Sequence, residues 1–140
     1  MPDRLGILTG ACALIVILMA MAVPSQAADP ELLLERADSL YAAEAYDAAR
    51  ALVPRIGAAL QPVAPGAATM QDARTWLEYG VLLLSLSEFA RADTALQQAV
   101  ELAEQAVGPS DTLFAEFLSV LASLYRTRGD LDRAEAVLKR

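Results

Sequence analysis

The sequence predicts an all-α protein in which residues 28–140 form about three helical hairpins stacked side by side, behind an export signal. Two observations carry this. The chain repeats itself: Trp76, Gly80, Leu83, Phe89, Ala92 and Leu96 are followed 42 residues later by Leu118, Ala122, Tyr125, Leu131, Ala134 and Leu138. The same six are preceded by 43 residues by Leu33, Ala37, Leu40, Tyr46, Ala49 and Val53, so similar units span nearly all of residues 28–140. Within each unit, apolar residues also return at three- and four-residue intervals, which puts them on one face of a helix.

Residues 1–27 have the three-part form of an export signal. Arg4 sits in a short polar start, the stretch from Ile7 to Val23 is apolar apart from Thr9 and Gly10, and Pro24-Ser25-Gln26-Ala27 follows. Ser25 and Ala27 are small at the two positions a signal peptidase pocket inspects, which places the cut after Ala27. The alternative is an uncleaved anchor, because residues 5–23 approach the roughly 20 apolar residues that span a bilayer core. A lipid-modified Cys12 fits less well, since apolar chain continues from Ala13 to Val23 where a tether would be polar. Cleavage removes Asp3, Arg4 and the only cysteine, so the product keeps its net charge of −7 and is held by packing without disulfides.

The helices follow in order. Asp29 and Pro30 supply an N-cap and a proline at the first helical position, opening a helix over 30–43 with the stripe Leu33, Ala37, Leu40. A second helix over 46–60 opens on Tyr46. Pro62, Pro65 and Gly66 then mark irregular chain between Gln61 and Met70, which absorbs the extra residue of the 43-residue offset. Thr69 with Asp72 resembles a capping box before a helix over 72–86, and the next runs over 89–107 from Phe89. Gly108-Pro109-Ser110-Asp111 breaks and restarts the chain into a helix over 112–128, closed at Arg128-Gly129-Asp130, where glycine accepts the left-handed conformation of a helix end. The last helix covers 131–140.

The units therefore lie at about 30–60, 72–107 and 112–140. Gly80 and Ala122 on first helices, and Ala92 and Ala134 on second helices, are small enough to be crossing points. The last helix is about half as long as its counterpart over 89–107. Ala134, Val137 and Leu138 are thus expected at an uncovered apolar edge.

This pattern resembles the tetratricopeptide repeat, in the longer 42-residue variety found in kinesin light chains and many bacterial proteins, over about residues 30–140. It is best marked from Leu102 onward, where Leu118, Leu121, Ala122, Leu124, Tyr125, Gly129, Asp132, Ala134 and Glu135 occupy typical positions. The first copy departs from it at Arg36, where an apolar residue is usual, and at Glu44, which replaces the turn glycine. An ordinary bundle of Ala-rich amphipathic helices is the alternative.

The resemblance implies a right-handed superhelix whose first helices line a concave groove for a protein or peptide partner. It would place there Glu31, Leu34, Asp38 and Tyr41 from the first copy and Arg74, Leu77, Val81 and Leu84 from the second. Glu116, Ser119, Ser123 and Arg126 would come from the third. Such a groove is apolar in the middle and mixed in charge at its ends. Leu77, Val81 and Leu84 either anchor a partner or belong to the core, and Glu31, Asp38 and Glu116 either favour a basic partner or form a solvated face. Ser119-Val120 stands where repeats that hold peptide backbones often carry asparagine, and the Lys/Asn cluster of carboxylate-clamping repeats is missing. A protein surface is the expected partner.

Composition narrows the function further. Without histidine there is no Ser-His-Asp triad, no imidazole acid-base catalyst and no histidine metal site. The single lysine, Lys139, lies beside the C-terminus, and there is no Gly-rich or Asp-rich loop, so no catalytic residue, cofactor or metal is expected. The acidic balance disfavours nucleic acid, and Trp76, Tyr79 and Tyr125 read as core aromatics. The expectation is a periplasmic or secreted adaptor or scaffold. The alternatives are the recognition arm of a larger enzyme or sensor, or a membrane-anchored scaffold retaining residues 5–23; a homodimer through the last helix is open. Ten arginines against one lysine, with abundant alanine, suggest a GC-rich bacterial genome.

Overall fold

A computed structural model describes residues 29–140. The export signal assigned to residues 1–27 lies outside the described residues. Among the described residues six helices follow one another: α1 (Pro30–Ala42), α2 (Tyr46–Ala59), α3 (Met70–Ser85), α4 (Phe89–Val107), α5 (Thr112–Thr127) and α6 (Leu131–Leu138). They pair as α1/α2, α3/α4 and α5/α6, and the first helices also meet in sequence, α1 against α3 and α3 against α5. This is the expected all-α stack of three hairpins. None of the described helices is long and apolar enough to cross a membrane.

Local chemistry explains the ends. The Asp29 carboxylate accepts from the Glu31 amide, and Pro30 costs no hydrogen bond because the first amides of a helix have no partner within it. Thr69 and Asp72 form a reciprocal capping box, which starts α3 at Met70, two residues before the expected start. Asp111 and Asp130 cap α5 and α6 through the amides of Leu113 and Arg133. The last helix stops at Leu138 rather than Arg140.

Each hairpin turns through three residues, and all three turns have one geometry. The middle residue is left-handed: Glu44 (φ 60°), Ser87 (φ 62°) and Gly129 (φ 78°). The amide after it returns to the carbonyl five residues back, Ala45 to Leu40 at 2.9 Å, Glu88 to Leu83 at 2.8 Å and Asp130 to Tyr125 at 2.8 Å. Only the third turn carries the glycine that this conformation favours.

The core is a continuous layer of Leu, Ala, Val, Phe and Tyr between the helices. Gly80 marks a close crossing of α3 and α4, because a Cβ there would lie 2.5 Å from the Leu96 Cδ2. Ala92, Ala122 and Ala134 are buried as crossing residues should be. Ala134 thus departs from the expected uncovered edge: like Ala49 and Ala92 at the same position, it belongs to the interior of its own hairpin. Val137 is half-buried, and Leu138 is exposed at 57% where Val53 and Leu96 are buried.

A left-handed conformation costs a non-glycine residue about 1–2 kcal/mol, part of which glycine returns through the greater freedom of its unfolded chain. Glu44→Gly and Ser87→Gly are therefore each expected to raise unfolding stability by about 0.5–1 kcal/mol, and Gly129→Ala to lower it by about 1 kcal/mol, in urea melts followed by circular dichroism.

Candidate functional site

The twelve positions assigned to the groove lie on α1, α3 and α5, and the fold does not use them alike. Leu34 is core, exposed at 1%, because α1 packs against both α2 and α3. Its counterpart Leu77 is half-buried, and the third residue of that column, Ser119, is exposed. Tyr41 and Leu84 are half-buried and Arg126, at the end of their column, is exposed. Each first helix meets the one before it, and these two columns pass from apolar to polar toward α5. Val81, at 41%, is the exposed large apolar residue of this face. Leu77 and Leu84 fall between the two readings, partly packed against the core and partly open.

Charge is concentrated where α1 meets α3. Glu31, Asp38 and Arg74 are exposed, and the Glu31 carboxylate accepts a hydrogen bond of 2.6 Å from the Gln71 side-chain Nε2 of α3. Partial burial pushes the Asp38 carboxyl above its ordinary value. Glu78, which the sequence did not single out, is raised by burial first and then by the negative charges of Asp38 and Glu31, with Arg74 pulling the other way. Glu78 lies one helical turn beyond Arg74, and that spacing was the one available hint. Asp38 and Glu78 take part in no ion pair among the described residues. Glu116 and Ser123 are exposed on α5, and the Glu116 charge is not among those acting on this cluster.

The hairpins are joined by polar ties at one repeated position. Arg50 on α2 donates to the Leu86 carbonyl and to the Glu88 carboxylate, both at 3.1 Å, in the turn of the second hairpin. Asp93, 43 residues later on α4, accepts from the Tyr125 hydroxyl at 2.9 Å and lies 3.6 Å from the Arg128 guanidinium at the third turn. Tyr79 and Tyr125 are buried, as core aromatics should be; Trp76 is only half-buried, with its ring edge-on to Tyr79 at 6.3 Å. Among the described residues, no three Asp, Glu, His or Cys side chains gather as metal ligands would.

The family model of the tetratricopeptide repeat matches residues 71–140, from the second residue of α3 through α6. The chain belongs to the tetratricopeptide repeat family. Repeats of this family are typically non-catalytic modules that bind protein partners. The match takes in the second and third hairpins, leaving outside it the first repeat, where Arg36 and Glu44 break the pattern. That hairpin nevertheless turns with the geometry of the other two tetratricopeptide hairpins. None of the curated proteins compared matches the chain.

Asp38 and Glu78 hold their protons more tightly in the folded than in the unfolded chain. Their stabilising contribution is therefore complete below about pH 4 and is lost as pH rises through their raised folded values. The Asp38→Asn/Glu78→Gln variant is expected to unfold at a higher urea midpoint than wild type at pH 7, with the two midpoints converging as pH falls toward 4.

Proposed function

We propose that this chain is an exported, non-catalytic adaptor or scaffold whose α1/α3/α5 face holds a protein partner. The observation that carries the reading is the surface around Val81. An exposed apolar side chain stands between the half-buried Leu77 and Leu84, with Asp38, Arg74 and Glu78 nearby, the pattern of an apolar anchor inside a polar rim. The 42-residue offset of the second and third repeats favours the kinesin-light-chain-like variety, and the signal-like residues 1–27 favour a periplasmic or secreted product of a bacterium.

Leu138 favours a second contact. Its exposure at a position buried in the other two repeats offers an apolar spot on α6 to a partner or to a second copy. Retention of residues 5–23 would turn the same module into a membrane-anchored scaffold, and attachment to a further domain would make it a recognition arm.

The reading is checked by isolating the endogenous protein with its partner. Its first residue is expected to be Ala28, and a retained segment 5–23 would replace the exported soluble adaptor by the anchored one. Val81→Asp is expected to weaken partner capture at least tenfold, the loss of about 1.4 kcal/mol or more at an interface anchor, with an unchanged circular dichroism spectrum. Wild-type capture by that variant would remove the partner from this face.

A further inference from the structure

The seam between the first and second hairpins is filled differently from the seam between the second and third. At the 43-residue offset, Gln97 and Val100 of α4 correspond to Pro54 and Gly57 of α2. Gln97 donates to the Tyr125 hydroxyl at 3.2 Å, and Val100 is fully buried. Pro54 has no side-chain donor and Gly57 has no side chain. The Tyr79 hydroxyl enters the space left, 2.9 Å from where a Gly57 Cβ would stand, and donates to the Val53 carbonyl at 3.3 Å.

The seam is open on both sides of Trp76, which is half-buried where its counterpart Leu118 is buried, and Pro54 walls one of the two openings. One opening, of about 490 Å³, lies between the start of α1, the end of α2 and the start of α3 and includes the carboxylates Glu31 and Asp72. The other, of about 450 Å³, is walled by Pro54, Trp76, Tyr79, Ala90 and Ala95. Its one charged lining residue is Arg91, exposed and in no ion pair among the described residues. The Thr94 hydroxyl, also at this opening, is already bonded to the Ala90 carbonyl. The opening is a shallow surface cleft, and mostly apolar walls with one cation in no ion pair select for an apolar body with an anionic head.

We propose that this second cleft binds a small amphiphilic carboxylate, with its aliphatic or aromatic body against Pro54 and Trp76 and its carboxylate on the Arg91 guanidinium. The site lies on the α2/α3/α4 side of the molecule, so it does not depend on the partner assigned to the α1/α3/α5 face.

Trp76 is the only tryptophan, so its emission reports directly on this seam. Full-length protein is titrated with octanoate and, separately, with 1-octanol, which has the same chain without the charge. Octanoate is expected to change the emission saturably and to bind about fivefold more tightly than octanol, the ratio of a partly exposed ion pair. Arg91→Gln is expected to bring octanoate to the level of octanol. Ala90→Leu, at an exposed position on the wall, is expected to weaken both ligands. Circular dichroism verifies that both variants fold. The proposal is overturned by an unsaturable or absent change with octanoate, by octanol binding as tightly, or by octanoate affinity that Arg91→Gln leaves unmoved. Binding that survives Ala90→Leu would overturn it too, by placing the ligand in the opposite opening.

Discussion

The second and third hairpins are held together by α4. It is the longest of the described helices, it lies against α3 within its own hairpin and against α5 of the next, and it does so with small residues: Ala92, Ala95, Ala99 and Ala103 are all buried. Alanine lets two helix axes approach closely while losing no side-chain entropy on burial. Leu96, Val100 and Leu102 then fill what remains, and Gly80 on α3 makes room for Leu96. Residues 28–140 contain no cysteine, so no disulfide limits the unfolded state and close packing of this kind carries the stability.

The repeat register made much of this legible beforehand. Aligning three copies placed all six helices to within about two residues, because the apolar stripe and the capping residues are both short-range signals. Thr69 and Asp72 were readable as a cap, although the helix was placed two residues late. Gly129 announced its turn; Glu44 and Ser87 did not, because hydrogen bonding and packing around a turn can impose a left-handed backbone on a residue that does not ask for it.

The candidate face was less legible than the fold. A helical period shows which residues share a face, and burial depends on which neighbour covers that face. Leu34 and Ser119 occupy the same column, yet α3 covers the first while no described helix does the same for the second. Glu78 matters through its distance from Asp38 and Glu31 on another helix, a relation with no trace in local sequence. Trp76 looked like a core residue for the same reason: what shelters its ring lies on other helices, among them Pro54 of α2 across one opening.

The polar ties between hairpins bear on how such an array can evolve. Arg50 meets an acidic side chain and a carbonyl, whereas Asp93 at the same position meets a hydroxyl and a guanidinium. A recombination event that duplicated the second hairpin in tandem would set Asp93 against Glu88 and the Leu86 carbonyl, three negative or electron-rich groups with no proton to share. The hairpins share one shape without being interchangeable bricks. Each seam is keyed, and a tandem copy of the second hairpin would meet a mismatched partner at this position.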